Sequence, residues 1–232
     1  STVEPSTFFY IFFNPPPTTL RTTALALCFS AGEDACPVWE QSCHTREVDV
    51  ALHHTVRIIT GCLRPTPVDK VQIVAGIAPP HIRRQVVSAN ERTRADEDPR
   101  HPLHDHTHQQ QLDEVPPKFP PTYTVWSRRR QQFEAVEVVQ SNWMSPAEKL
   151  APGHDQSWNT WRSLNRLRTG VGRCRANLVR WGFEEDKSCS CGQEQTMKHL
   201  MSCSHCPVTV TNDDLLVASP AAIQLASYLR NI

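Results

Sequence analysis

Nine cysteines are distributed unevenly along this 232-residue chain. Five of them lie between Cys174 and Cys206, and four of those five fall within the eighteen residues that begin at Cys189. An odd number of cysteines without a secretory signal argues against a disulfide framework. Clustered thiols in an intracellular chain point to a bound metal before they point to disulfides. A small metal-stabilised module is therefore the strongest constraint that the sequence places on the fold.

The spacing within this cluster predicts four zinc ligands. Cys189 and Cys191 flank one residue and are followed by Gly192, which allows the backbone to fold back. His199 and Cys203 are four residues apart, so on a helix at 196–203 both would point to the same face. Three thiolates and one imidazole suit a tetrahedral zinc ion.

Two alternatives to this ligand set stay open. Cys206 or His205 can replace Cys203 as the fourth ligand, and the thiols can also be ordinary members of a small core. Four protein ligands leave no open position for a catalytic water, so we expect the zinc to be structural. In a module this small, its binding energy would be folding energy.

Composition divides the rest of the chain into segments. Residues 1–21 hold an apolar run at 8–13 and four prolines, and we interpret them as an unstructured or foreign leader, with a buried strand as the alternative. Residues 22–94 carry helical periodicity and predict a small helical subdomain. Residues 95–154 predict a flexible linker rich in Pro, His and Gln. Residues 155–232 predict Arg-rich helices joined to the zinc module, which makes the whole fold mostly α.

Four local signals are expected to position the helices of this last segment. Asp155 can cap a first helix, which Gly170 breaks, and a second helix uses Leu178 and Trp181 as anchors. Ser219 followed by Pro220 predicts the start of a closing helix.

Three helices are expected in the segment 22–94. The first spans 46–61, where one face is apolar or small and Gly61 ends the helix. A second helix follows Thr66, which can cap it, while Asp69 can return a hydrogen bond to the cap. Gly76 is expected to end this helix. The third covers residues 81–94. The inward positions of the first helix are Val48, Ala51, Leu52, Thr55, Val56 and Ile59.

The predicted linker has few apolar clusters, so it cannot bury enough surface to offset the entropy of ordering it. It contains four histidines that superficially suggest a metal site, but no cysteine or carboxylate framework fixes their geometry, which favours a solvated loop. A basic run at 128–130 is either a phosphate contact or a solvated face. The histidines are His101, His104, His106 and His108.

Local charge differs from the net charge, which is zero. No Asp or Glu lies between Trp158 and Trp181, whereas six arginines do. Such an uncompensated basic stretch beside a zinc module favours binding to RNA or DNA, with the tryptophans stacking on bases. The alternative is that the tryptophans are core and the arginines form a solvated face. The six are Arg162, Arg166, Arg168, Arg173, Arg175 and Arg180.

At these residues the chain resembles the C-terminal tail of non-LTR, LINE-type (jockey-like) retrotransposon reverse transcriptases, which are RNA-directed DNA polymerases. The similar motifs are WRSLNRLRTG at 161–170, CSCG at 189–192, QTMKHL at 195–200, and then Cys203. The segments ACPVW at 35–39, IITGCLRPTP at 58–67 and AGIAP at 75–79 resemble the family's thumb-like region. Together the resemblance covers about two thirds of the chain.

The resemblance implies a fragment without catalysis. The family's chemistry depends on palm aspartates that hold two metal ions, and the resembled segments do not include them. The pair Asp213 and Asp214 follows the zinc motif, and we interpret it as a helix cap. We therefore expect the chain to have no enzyme activity and to retain zinc-stabilised binding of RNA or DNA. The alternatives are a structural or protein-interaction zinc module, or a degenerate element product without function.

No membrane or small-molecule partner is expected. No stretch reaches the about 18 apolar residues that a membrane-spanning helix needs. The apolar run at 8–13 lacks the basic residues before it and the small residues after it that a signal peptide requires. The sequence thus predicts an intracellular protein of the nucleus or cytoplasm, and it leaves the oligomeric state open.

Overall fold

The computed structural model describes residues 15–39, 42–101, 104, 149–230 and 232. These residues form helices and turns, and the sheet-like pairing among them is one antiparallel bridge between Ser188 and Glu194. The predicted mostly α fold is confirmed. In chain order, the helices are α1 (Pro17–Thr23), a π-helix (Ala24–Phe29), α2 (Ser30–Glu33), α3 (Cys36–Trp39), α4 (Thr45–Thr60), α5 (Val68–Ala75), α6 (Pro80–Glu97), α7 (Trp158–Thr169), α8 (Arg175–Arg180), α9 (Met197–Leu200), α10 (Asn212–Val217) and α11 (Pro220–Tyr228).

Helices α4, α5 and α6 follow the sequence pattern closely. Helix α4 buries Leu52, Val56 and Ile59, and it ends at Gly61, whose φ of 68° is left-handed. Left-handed backbone is reached most easily by glycine, which is why the helix stops at this residue. The predicted cap by Thr66 is wrong, because Pro67 flanks α5 and no side chain caps that helix.

The first hydrophobic core, here the N-terminal core, gathers the inner faces of α4 and α5 with the π-helix. The helical region begins before the predicted boundary between residues 21 and 22, because Leu20 of α1 packs against this core. The Arg21 guanidinium also donates to the carbonyl oxygens of Ala75 at 3.0 Å and Gly76 at 2.8 Å. Residues 17–21 are therefore part of the helical region, and residues 1–14 lie outside the described residues.

Both described ends of the predicted linker are also ordered. Helix α6 runs on to Glu97 and buries Ala95 within the last turns. Leu150 and Ala151 belong to the N-terminal core, and the Ala151 N–H donates to the carbonyl of Val74 at 3.0 Å. Residues 105–148, with most of the predicted linker, lie outside the described residues, so the linker prediction is not tested there.

Helix α7 connects the two halves of the molecule. Trp161 is fully buried in the N-terminal core, whereas Leu164 and Leu167 belong to a second hydrophobic core, here the C-terminal core. The Trp161 indole N–H donates to the Ile59 carbonyl at 3.0 Å. The Asn165 amide donates to the Thr60 carbonyl at 2.9 Å. Side chains of α7 thus satisfy carbonyls that the end of α4 leaves without intrahelical partners.

In the C-terminal half, the predicted cap of α7 and the predicted anchors of α8 differ from the structure, whereas the predicted start of α11 is confirmed. The Ser157 hydroxyl, and not Asp155, caps α7 by accepting from the Thr160 N–H. The C-terminal core is closed by α11, which begins at Pro220 as predicted, after a Ser219 cap. Leu178 and Trp181, the predicted anchors of α8, are only half-buried.

None of the helices in the described ranges is long and apolar enough to cross a lipid bilayer.

Candidate metal centre

Four side chains form a group that can hold a metal ion at the edge of the C-terminal core. The group consists of Cys189, Cys191, His199 and Cys203, and one ligand atom of each lies within 4.8 Å of all the others. Cys189 and Cys203 are buried, whereas Cys191 and His199 are half-buried. The structure therefore brings together the four residues that the sequence spacing selected.

The distances within this cluster fit a shared ion better than a covalent bond. The sulfurs of Cys189 and Cys203 are 3.7 Å apart, and the Cys191 sulfur is 3.2 Å from His199 Nε2. A disulfide needs a separation of about 2.05 Å, so the sulfurs of Cys189 and Cys203 are not bonded to each other. Two thiolates on a tetrahedral metal at about 2.3 Å lie about 3.7 Å from each other. The cluster has the dimensions of a four-coordinate site.

A tight turn supplies the first two ligands. The Cys189 N–H donates to the Gln193 carbonyl at 2.7 Å, and the Gly192 N–H donates back to the Cys189 carbonyl at 2.9 Å. Gly192 has a φ of 88°, which confirms the predicted backbone reversal at a position that favours glycine. This reversal places the thiols of Cys189 and Cys191 on the same side of the turn.

The second pair of ligands is positioned differently from the prediction. The Thr196 hydroxyl caps α9 by accepting from the His199 N–H at 3.0 Å, which holds His199 in the first turn. The helix ends at Leu200, so Cys203 lies beyond it in a turn. The predicted helix over 196–203 is wrong, although the spacing of four residues still brings both side chains to the ion site.

Gln195 is a part of the site that sequence reasoning missed. Its side-chain N–H donates to the Cys189 sulfur at 3.9 Å, while its side-chain oxygen accepts from the Arg175 N–H at 3.0 Å. Groups that hydrogen-bond to metal ligands orient those ligands and tune the metal. Gln195 thereby couples α8 to the cluster. The sequence signal for this role is that Gln195 is a polar residue placed between the two pairs of ligands.

The ionisation of the thiols supports a metal-binding role for Cys189. A backbone hydrogen bond from Cys191 lowers the pKa of the Cys189 thiol to about 5, with further contributions from His199 and Cys203. A thiolate, and not a thiol, is the form that binds metal.

Burial raises the pKa of the Cys206 thiol. A backbone hydrogen bond from Gln193 lowers the pKa of the Cys191 thiol, but burial and hydrogen bonds with Cys189 and Cys203 outweigh it, so that this pKa is also raised. The thiol pKa values therefore do not separate Cys206 from the ligands.

The alternatives for the fourth ligand separate from the group. Neither Cys206 nor His205 belongs to the four-residue cluster. Cys206 packs against the C-terminal core, and the His205 ring lies 3.3 Å from the Ser190 hydroxyl. Cys203 is therefore the fourth member of the described cluster.

Two of the six arginines predicted to bind nucleic acid are instead buried inside the protein. Arg166 is 8% exposed and donates to the Gly61 carbonyl at 3.0 Å and to the Ile232 carbonyl. Arg168 is 5% exposed and donates to the carbonyls of Leu215 and Pro152, each at 2.7 Å.

These contacts correct the prediction for both residues. Burial lowers the pKa of both guanidinium groups to about 10, which still leaves them charged at neutral pH. Their donors are directed at backbone carbonyls inside the protein, where a polar group needs a hydrogen bond. Arg166 and Arg168 therefore hold the two cores together and do not face an external phosphate.

The other four arginines are placed nearer to solvent. Arg162 is half-buried and donates to the Arg230 carbonyl at 2.8 Å. Arg173, Arg175 and Arg180 are exposed on and before α8. Arg175 lies 3.6 Å from the Asp186 carboxylate and donates to the Ser188 carbonyl at 2.7 Å.

Two minor predictions also have an outcome. Asp214 forms a capping box with Thr211 at the start of α10, which agrees with a helix-cap role for the Asp213–Asp214 pair. Among the linker histidines, His104 Nδ1 lies 2.7 Å from the Ala95 carbonyl oxygen. His106 and His108 lie outside the described residues, as does the basic run at 128–130.

No family model matches this chain, and neither a curated protein nor a solved structure shows significant similarity to it.

Proposed function

We propose that Cys189, Cys191, His199 and Cys203 bind one structural zinc ion, which stabilises the C-terminal core. The observation that carries this proposal is the four-ligand cluster, all of whose ligand atoms lie within 4.8 Å of one another. Three sulfurs and one imidazole are a common zinc set, and four protein ligands leave no position for a catalytic water.

Metal analysis of the purified chain tests this zinc site. One zinc per chain is expected, and it should be lost in Cys189→Ser. Cys174→Ser is the matched control, because Cys174 is buried in the same core but does not belong to the cluster. A chain without zinc, or equal zinc loss in both variants, would contradict the proposal.

At the level of ancestry, the proposal is that this sequence is a non-catalytic part of a non-LTR retrotransposon reverse transcriptase. Its support is the resemblance of two segments, in the family's order, to the thumb-like region and the zinc-binding tail. A helical region that precedes a Cys/His cluster agrees with that order. We expect no product in a primer-extension assay, and any templated product would contradict this assignment.

Nucleic-acid binding is the function that we propose for the exposed basic surface beside the cluster. Arg173 and Arg180 are both exposed and fall within eight residues, whereas the exposed Arg175 between them already contacts Asp186 and Ser188. The exposed acidic residues Glu184, Glu185 and Asp186 follow α8, so this surface is narrower than the sequence alone suggests. Phosphate contacts by a few arginines give weak, salt-sensitive binding.

Binding of a labelled RNA or DNA oligonucleotide, measured over a series of salt concentrations, tests this surface. The double change Arg173→Gln, Arg180→Gln should weaken binding and reduce the salt slope by about 2. The matched control is Arg46→Gln, Arg64→Gln, two exposed arginines of the N-terminal region. Equal losses in the two double variants, or binding that ignores salt, would favour a structural or protein-interaction zinc module.

A further inference from the structure

A fourth sulfur, that of Cys206, lies beside the three sulfurs of the four-ligand cluster without belonging to it. Cys206 follows Cys203 by three residues, and its backbone N–H donates to the Cys203 carbonyl at 3.0 Å. This hydrogen bond closes a turn, and the first and fourth Cα atoms of such a turn lie within about 7 Å. A disulfide needs Cα atoms about 4.4–6.8 Å apart. The backbone thus holds Cys203 and Cys206 in the range from which side-chain rotation can form a bond.

Cys206 differs chemically from its four neighbours. It is half-buried and packs against the C-terminal core, whereas Cys203 is both a member of the cluster and 4% exposed. As a non-ligand, Cys206 is free to react without first leaving the metal. Two other sulfurs lie near that of Cys203, namely Cys189 at 3.7 Å and Cys191 within 4.8 Å, and both are ligands of the same cluster.

We infer that Cys203 and Cys206 form a peroxide-sensitive disulfide that releases the metal from the Cys/His cluster. This inference rests on the proposed zinc site, because it makes Cys203 both a zinc ligand and a reactive sulfur. Hydrogen peroxide oxidises the Cys203 thiolate to a sulfenic acid and is itself reduced to hydroxide. The Cys206 thiol then attacks the sulfenic sulfur, the S–S bond forms, and one water leaves.

The consequence for the metal follows from the ligand count. Once Cys203 is in a disulfide, zinc keeps only Cys189, Cys191 and His199 as protein ligands. The affinity of the cluster for zinc would therefore fall, and the ion would be released. Since metal binding supplies folding free energy in a module of this size, its release loosens the C-terminal core. Reduction of the disulfide by a thiol restores the ligand set.

The test uses the zinc-loaded full chain in a Cys28→Ser, Cys43→Ser background, which removes the two exposed cysteines. The reduced protein is treated with hydrogen peroxide, zinc release is followed with a coloured chelator, and disulfides are mapped by mass spectrometry after thiol alkylation. We expect one zinc released for each Cys203–Cys206 disulfide, and recovery of zinc binding after reduction. Cys206→Ser should bind one zinc but release it at least tenfold more slowly.

Each other outcome has a defined meaning. A Cys189–Cys203 disulfide, or release from Cys206→Ser at the unmodified rate, overturns the inference while leaving the zinc site intact. Failure of Cys206→Ser to bind zinc also overturns it, because Cys206 would then be a ligand. A reduced chain that binds no zinc contradicts the proposed function itself. Cys174→Ser, which changes a buried thiol of the same core, should release zinc like the unmodified protein.

Discussion

The two cores of this protein are built from helices of very different length. The N-terminal core rests on α4 with 16 residues and packs near α6 with 18 residues. Apart from α7, which both cores share, the C-terminal core is assembled from α9, α10 and α11, which have only 4, 6 and 9 residues. Helices below about 12 residues are marginal on their own in water. The Cys/His cluster lies in the half that most needs another source of stability.

This difference suggests a division of labour between apolar burial and metal. In the N-terminal core, large side chains such as Phe29, Ile59 and Trp161 are completely buried. The C-terminal core also buries leucines, but the segment between α8 and α9 has little regular structure and is fixed mainly by turns around the cluster. The expectation is that the two cores respond differently to metal removal and similarly to the loss of α7.

The largest effect is expected from removing the zinc ion that we propose for the Cys/His cluster. Structural zinc contributes about 10–16 kcal/mol of apparent binding free energy in small zinc peptides, and that energy is available for folding. With a strong chelator, backbone amides of α9, α10 and α11 should lose protection from hydrogen exchange, whereas those of α4 and α5 keep most of theirs. Equal loss of protection in both halves would show that the cores do not differ in metal dependence.

The second effect tests the helix that the cores share. Trp161→Ala should cost about 3–5 kcal/mol, the usual range for a large aromatic side chain removed from a core. Because α7 contributes to both cores, protection should fall in both halves. The matched controls are Leu52→Ala and Leu225→Ala, whose effects should stay within the N-terminal and C-terminal cores respectively. If Trp161→Ala reduces protection in only one half, α7 does not couple the stability of the two cores.

A smaller effect is expected where α4 meets α7. A Cβ atom on Gly61 would lie 2.4 Å from the Arg162 Cβ, at a φ of 68°. Gly170 has a similar φ of 72°, but a Cβ there meets nothing within 4 Å. Gly61→Ala and Gly170→Ala therefore share a left-handed backbone cost of about 1–2 kcal/mol. Denaturant unfolding should show a further loss for Gly61→Ala, and equal losses would mean that the contact relaxes freely.

The smallest effect concerns the cap of α10. Thr211→Ala should cost about 1 kcal/mol, as for other N-cap hydroxyls, with exposed Thr209→Ala as the control. Hydrogen bonds from Thr211 lower the pKa of the Asp214 carboxyl. A carboxyl whose folded pKa is depressed stabilises the protein above its unfolded pKa, and this contribution disappears as the pH falls through the folded value.

The measurement for this last prediction is the difference in stability between Thr211→Ala and the unmodified protein over an acid titration. The difference should be full above the ordinary Asp pKa and should shrink as the pH falls below it. A difference that stays constant through that range would mean that Asp214 does not contribute through its charge.

Local signals predicted a substantial part of the fold. The helix ends at Gly61, Gly76 and Gly170 have the left-handed backbone that glycine allows. The Ser219 cap before Pro220 was also predicted correctly. These signals act within one turn of helix, so the nearest neighbours in sequence are sufficient to interpret them. The ligand residues belong to the same class, because spacing and residue type select them.

Whether each arginine is buried or faces solvent follows from the tertiary structure and not from the local sequence. Arg166 reaches Gly61 across 105 positions in the sequence, and Arg168 reaches Leu215 across 47. An arginine in an acid-free stretch has the same local sequence whether it faces phosphate or buried carbonyls. Its burial depends on which distant backbone carbonyls the fold brings within reach of its donors.

The metal centre shows the same boundary between sequence and structure. Residue type and spacing alone identify the four residues that can bind an ion, since three thiols and one imidazole in this pattern are typical zinc ligands. Only the tertiary structure decided how they meet: α9 ends before Cys203, and Gln195 connects Cys189 to α8. Ligand identity is a property of single side chains, whereas their geometry depends on where each turn is held by the rest of the chain.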